Sequence, residues 1–316
     1  MSALATTGAA GAAGGTPPPA PTGPSGTAGR SRWTPYLLLL PGLAWLAIFF
    51  IVPSITLFST SLQSGSVETG YAFTFEVSNY VDAWATYWPQ MLRSFVYAGI
   101  ATVLALAIAY PLAYAIAFKA GRWRYLMLIL VIAPFYTSFL IRTLAWKTIL
   151  ADNGFVVEVL NALYITDVLS FVGLTEGDRV LATPLAVITG LTYNFLPFMT
   201  LPLYAALDRL DPRLVEAAGD LYASPFTAFR TVTWPLSLPG VVAGTLLTFI
   251  PASGDYINAQ LLGSLPATAM IGNVIDAQFL RVLNYPTASA LSFTLMVAVV
   301  ALVAVYVRRA GTEELV

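Results

Sequence analysis

Asp255 is the residue of this chain best placed for chemistry in an apolar setting. It lies sixteen residues after Pro239 in a strongly apolar run. At helical rise that is about 24 Å, which reaches the outer half of a hydrocarbon layer about 30 Å thick. A carboxylate at that depth marks a functional site by default. It would accept hydrogen bonds from a cationic ligand, and the ring faces of Tyr136, Trp146 and Tyr256 would add cation–π attraction. Arg142 would repel the same cation unless it snorkels to the interface or is neutralised by Asp255 or Glu158. Asn194, polar within an apolar stretch, belongs to the same candidate pathway, although such residues more often bond a neighbouring helix. Two readings stand side by side: Asp255 meets a ligand, or it forms a structural bridge with Arg142.

Other chemistries are closed by composition. The chain has no histidine and no cysteine, so disulfides, thiolate attack, histidine acid/base work and the usual zinc sites are excluded. Lys119 and Lys147 are the only lysines. A phosphate-binding loop needs glycines before its lysine so that backbone N–H groups can cradle phosphate. Lys147-Thr148 is instead preceded by Trp146 and Ile141 at the glycine positions. No cofactor, metal or ATP is expected on this chain, and no paired intramembrane carboxylates suggest an enzyme.

The elements that position these residues must lie in a bilayer. Of 316 residues 58% are hydrophobic and only 10% charged, against about 25% charged in soluble domains. Mean hydropathy is +0.76. Residues 1–32 lack the apolar content to order themselves and read as a disordered cytoplasmic tail. A span needs about 20 apolar residues, and six segments qualify: 36–57, 95–118, 125–146, 181–203, 239–262 and 288–307. The fold class is therefore an all-α membrane protein of about six transmembrane helices, whose transmembrane domain occupies residues 33–316. Ten of the fifteen basic residues, among them Arg122, Arg124, Arg209, Arg213, Arg230 and Arg308, fall on the side holding both termini, which predicts cytoplasmic termini. The opposite loops carry Glu68, Glu76, Asp82, Asp152, Glu158, Asp167, Glu176 and Asp178, giving an acidic outer mouth.

The longest cytoplasmic connection, residues 206–235, has its own architecture. Asp211 suits a helix N-cap and Pro212 the first helical position. Leu214, Ala217, Ala218 and Leu221 make an apolar stripe at helical spacing. Ser224-Pro225 restarts a second short helix with Phe226, Phe229 and Val232 on one side. The pair forms either a compact knob offering Glu216, Asp220 and Arg230 to a partner, or an amphipathic unit lying on the inner membrane surface.

Glu216-Ala217-Ala218, followed by a proline-containing stretch ending in Trp234-Pro235 and Pro239-Gly240, resembles the EAA loop of bacterial ATP-binding-cassette importer permeases. The resemblance implies a type I importer permease fold in which this loop forms coupling helices seated on a separate ATPase. Glu216, Ala217, Ala218, Asp220, Tyr222, Ser224, Pro225 and Arg230 would then be the coupling residues. Tyr222 stands where that pattern carries glycine and gives up glycine's freedom at positive φ, which bears on the turn geometry and on the matching ATPase. Pro134 to Trp146 with Asn153-Gly154, Ser253 to Gly263, Met270 to Ile275 and Gln278-Phe-Leu280 are similar to spermidine/putrescine permeases, a subfamily lying close to permeases for other small solutes. The implied partners are an ATPase dimer using ATP and magnesium, a second permease subunit, an extracytoplasmic solute-binding protein and membrane lipid, with no nucleic acid. The implied location is the bacterial inner membrane. An ion-coupled secondary transporter is the alternative, but it needs a buried titratable relay, and no inverted repeat is evident.

Overall fold

The structure is a computed structural model describing residues 34–310; the expected disordered tail, residues 1–32, lies outside the described residues. The chain divides into two units that meet between Val52 and Pro53. The first contains α1 (Thr34–Leu46) and the π-turn Ala47–Ile51. The second begins within α2 (Val52–Ser61), continues through a hairpin of β1 (Gln63–Ser66) and β2 (Gly70–Phe73), and is helical thereafter. Its helices are α3 (Ser78–Tyr114), α4 (Arg124–Ile132), α5 (Phe139–Ile149), α6 (Phe155–Ala162), α7 (Ile165–Phe171), α8 (Pro184–Asp208), α9 (Pro212–Asp220), α10 (Pro225–Ala228), α11 (Trp234–Ser253), α12 (Ile257–Leu262), α13 (Ile271–Leu280) and α14 (Tyr285–Ala310).

Among the described residues five helices are long and apolar enough to cross a membrane, and six crossings result when the bent pair Gly121–Tyr136 and Phe139–Ile149 is counted as one. Five of the six expected segments are therefore present as long apolar helices and the third as the bent pair, with three changes of shape. The second begins at Ser78 rather than Phe95 and runs to Lys119. At about 1.5 Å per residue that helix greatly exceeds the hydrocarbon thickness. The third is not one straight helix: it bends by 95°. Pro134, unable to donate, opens a 3-10 turn over Ala133–Tyr136, and Thr137 is extended at φ −100°, ψ 150°. The fifth ends at Ser253 instead of reaching Leu262. Gly254, Asp255 and Tyr256 separate it from α12, so the helical rise from Pro239 that placed Asp255 is valid only as far as Ser253.

The core of the second unit is built where α3, α8 and α11 cross. Ala98 and Ala101 of α3 meet Val187, Ile188 and Leu191 of α8 and Phe249 and Ala252 of α11. Nearer the α9 end, Ala105, Ala109 and Ala113 pack with Met199, Leu203, Leu207 and Val241. Small residues are favoured at such crossings because lipid supplies no hydrophobic drive, so close backbone approach must provide the attraction. Gly240 and Gly244, four apart on α11, do this against α8. A Cβ on Gly240 would lie 2.8 Å from the carbonyl oxygen of Pro202, and one on Gly244 would lie 3.0 Å from that of Met199. Backbone atoms cannot swing aside as a side-chain tip does. Gly244→Val is expected to destabilise the protein by about 1–3 kcal/mol through overpacking, seen as a lower melting temperature in detergent. Unchanged melting would mean that the crossing is looser than it looks.

Candidate functional site

Two features of the second unit hold most of the candidate residues: a buried polar network at the helix breaks, and the exposed α9–α10 connection. The network starts at Asp255, 9% exposed. Its Oδ1 accepts the Asn258 N–H at 2.8 Å in the first turn of α12. Asn258 Oδ1 accepts from Asn194 Nδ2 of α8 at 3.0 Å, and the same amide nitrogen lies 3.2 Å from Thr143 Oγ1 of α5. A continuous polar line therefore ties α12, α8 and α5 together. Gly190 leaves the space for it, since a Cβ there would lie 2.7 Å from Asn258 Oδ1. The break itself is clamped from α13. Asn273 Nδ2 donates to Tyr256 O at 2.8 Å, Ile271 N–H donates to Ser94 Oγ at 2.7 Å, and Gly272 presses on the Gly254 carbonyl, where a Cβ would come within 2.5 Å.

Among the described residues the ion pairs are Arg124–Asp208 at 2.7 Å and Arg179–Asp152 at 3.2 Å. Neither joins Arg142 to Asp255, so the structural bridge is not formed. The Arg142 guanidinium instead lies 4.9 Å from the Phe135 ring centroid and 5.7 Å from that of Phe139, which disperses its charge over two π faces. The candidate pathway residues thus separate into two sets. Asn194 and Asp255 are enclosed by their own chain, whereas Tyr136 is 88% exposed and Tyr256 is also exposed. Trp146 is half-buried, edge-on to Tyr193 at 5.3 Å. Asn258 and Thr143 leave no local signal in the sequence: the carboxylate accepts the backbone N–H at position 258, which any residue but proline offers, and the side-chain links from Asn194 exist only in the fold.

The α9–α10 connection has the caps that its sequence called for. Asp211 accepts from Arg213 N–H at 3.0 Å and Ser224 Oγ accepts from Thr227 N–H at 3.2 Å, with Pro212 and Pro225 at the first helical positions. The expected apolar faces behave differently from each other. Leu214, Ala217 and Leu221 are exposed and Ala218 is half-buried, so the α9 stripe is not covered by the described residues. Phe229 packs edge-on to Tyr110 at 5.7 Å and against Trp234, but Phe226, expected on the same side, is exposed. Phe226 lies one turn earlier, at the start of α10, before the π-turn Phe229–Thr233 begins. Through that turn α10 runs directly into α11, giving one helical rod from Pro225 to Ser253. Glu216 and Asp220 are exposed on α9, and Arg230 on the π-turn.

Residues 109–310 match the family model of the binding-protein-dependent transport system inner membrane component. The spermidine/putrescine transport system permease protein PotB of Haemophilus influenzae is 38% identical over 267 residues, covering 84% of this chain and 90% of that protein. PotB of Escherichia coli is 36% identical over 265 residues, covering 84% and 93%. The inner membrane ABC transporter permease protein YdcU of Escherichia coli is 32% identical over 294 residues, covering 88% and 90%. Among solved structures, a bacterial ABC transporter involved in import of the acidic polysaccharide alginate superposes with a TM-score of 0.58 at 19% identity, covering 88% of this chain and 95% of that one. The alginate transporter in complex with its pentasaccharide-bound periplasmic protein gives 0.61 at 19% identity, covering 89% and 95%. At that identity the likeness is one of fold.

Proposed function

Because this chain belongs to the family of binding-protein-dependent transport system inner membrane components, we propose that it is one permease half of an ATP-driven importer that carries a polyamine, spermidine or putrescine, into the cytoplasm. The observation that carries this reading is the α9–α10 knob. It is capped at both starts, uncovered along its apolar stripe among the described residues, and continuous through α10 with the rod that ends at Ser253, two residues before Asp255. A stripe left open by the described residues is suited to a partner, and the rod gives that partner leverage on the break.

In this scheme the knob seats on an ATPase dimer, which binds ATP and magnesium; the permease binds neither. A second permease subunit completes the pore, and an extracytoplasmic binding protein delivers solute to the acidic outer mouth. Both termini face the cytoplasm of a bacterial inner membrane, as the basic residues favour. The ATPase drives the cycle by binding one conformation of the permease more tightly than the other, since a ligand shifts an equilibrium only by its differential affinity. Solute selection rests on the similarity to polyamine permeases and on a buried carboxylate suited to ammonium groups.

The test is uptake of labelled spermidine and putrescine into vesicles holding the assembled complex. Uptake is expected to require ATP inside and the binding protein outside, with a ligand screen on that binding protein identifying the preferred amine. Ion-gradient-driven uptake by this chain alone in liposomes would overturn the reading in favour of a secondary transporter.

A further inference from the structure

Between α9 and α10 the backbone of Tyr222 sits at φ +60°. A side chain bearing a Cβ costs roughly 1–2 kcal/mol in that conformation, and glycine does not. Among the described residues nothing packs on the side chain to offset the cost: the ring is 99% exposed, and its neighbours Leu221 and Phe226 are 81% and 72% exposed. The turn is nevertheless well held. Tyr222 N–H donates to Gly219 O at 2.9 Å, Ala223 N–H donates to Ala218 O at 3.0 Å, and Ser224 caps the next helix. A fixed backbone therefore presents a strained aromatic residue outward. Those two bonds close the end of α9 and call for positive φ whatever the residue, so glycine would make them without the cost; an exposed ring kept there despite it points to a function elsewhere, and tyrosine is among the side chains that most often anchor protein interfaces.

An apolar tip beside a membrane has a second possible host in the inner leaflet, and charge separates the two. Residues 211–224 carry Asp211, Glu216 and Asp220 against Arg213 alone, three carboxylates to one cation. Anionic leaflets draw basic segments, and this segment carries the wrong sign. A protein surface with an apolar pocket and a basic rim has the complementary one.

We propose that Tyr222 is the recognition anchor of the knob: its ring fills an apolar pocket on the ATP-hydrolysing subunit, whose basic rim meets Glu216 and Asp220, and so selects which ATPase this permease accepts. This inference rests on the coupling role proposed above. It assigns the discrimination to one side chain whose cost the isolated chain bears without benefit.

The experiment compares Tyr222→Phe, Tyr222→Ala and Tyr222→Gly in the full chain, assembled with its partner subunits in native membranes, by ATP-driven uptake of labelled putrescine and by melting of the purified protein. Loss of an anchor is expected to lower uptake at least about tenfold in Tyr222→Ala and Tyr222→Gly. Tyr222→Phe, which keeps the ring, retains most of it. Tyr222→Gly should do this while melting no lower than the wild type, because glycine relieves the backbone. Wild-type uptake in Tyr222→Gly, or an equal loss in Tyr222→Phe, overturns the proposal. The chain has no cysteine, so Ala223→Cys supplies a unique cross-linking handle, read against the subunit labelled by a photoreactive ATP analogue. A cross-link to that subunit alongside full uptake in Tyr222→Gly removes the anchor and leaves the coupling role standing. No cross-link to it in membranes active in uptake removes the coupling role itself.

Discussion

Glu216→Lys is expected to reduce ATP-driven uptake by about thirtyfold or more while leaving the protein folded in the membrane. Glu216 is exposed on α9 and makes no ion pair among the described residues. Its replacement therefore changes folding stability by no more than about 0.5 kcal/mol, as for other surface positions. At a coupling interface the same carboxylate is desolvated against its partner. Reversing it there leaves a like-charge contact costing about 2 kcal/mol or more. The two measurements thus separate: melting stays, uptake falls. Ala217→Trp offers an independent route to the same result, because Ala217 is exposed in the chain but a bulky ring would not fit beneath a seated partner. Full solute-dependent uptake by both variants, with ATP hydrolysis still responding to solute, would show that α9 is not where force enters the permease.

The knob was legible in the sequence because its signals are local. Asp211-Pro212 and Ser224-Pro225 place an acceptor oxygen and a residue lacking a donor at a helix start, and the structure uses both pairs in that way. The spans were legible for a related reason, since a bilayer imposes one length on every crossing. Hydropathy is blind to direction, however. Residues 125–146 are largely apolar, with Arg142 their one charge, yet the axis turns by 95° near Thr137, and only the missing donor of Pro134 hints at it. Pro251 lies in an apolar run where a span can accommodate proline, yet α11 stops two residues later. The early part of α3 was hidden in the opposite way: Asn79, Asp82 and Gln90 lower the mean hydropathy of a stretch that is helical from Ser78. The Asp255–Asn258–Asn194–Thr143 line was least accessible, because it joins positions on three elements that only the fold brings together.

That line makes Asp255→Asn the most discriminating substitution for the substrate. Asparagine keeps an oxygen able to accept the Asn258 N–H and ranks with aspartate as a helix-start residue, so α12 and its clamp should survive. Arg142 is held over Phe135 and Phe139 and not against Asp255, so neutralising the carboxylate leaves no abandoned cation behind. What changes is the negative charge at the end of the Pro225–Ser253 rod. A hydrogen bond between an ammonium and a carboxylate contributes about 1.5–3 kcal/mol. Uptake of spermidine or putrescine is therefore expected to fall roughly ten- to hundredfold, with melting close to wild type. Asp255→Ala, which also loses the contact to Asn258, should lower melting as well. Because Asp255 is enclosed in the described conformation, its charge reaches a solute only when the break at Gly254–Tyr256 opens. The loss in Asp255→Asn should accordingly appear in the ATP-driven step, while delivery by the binding protein continues. Unchanged uptake would make Asp255 a structural cap and leave the polyamine reading resting on similarity alone.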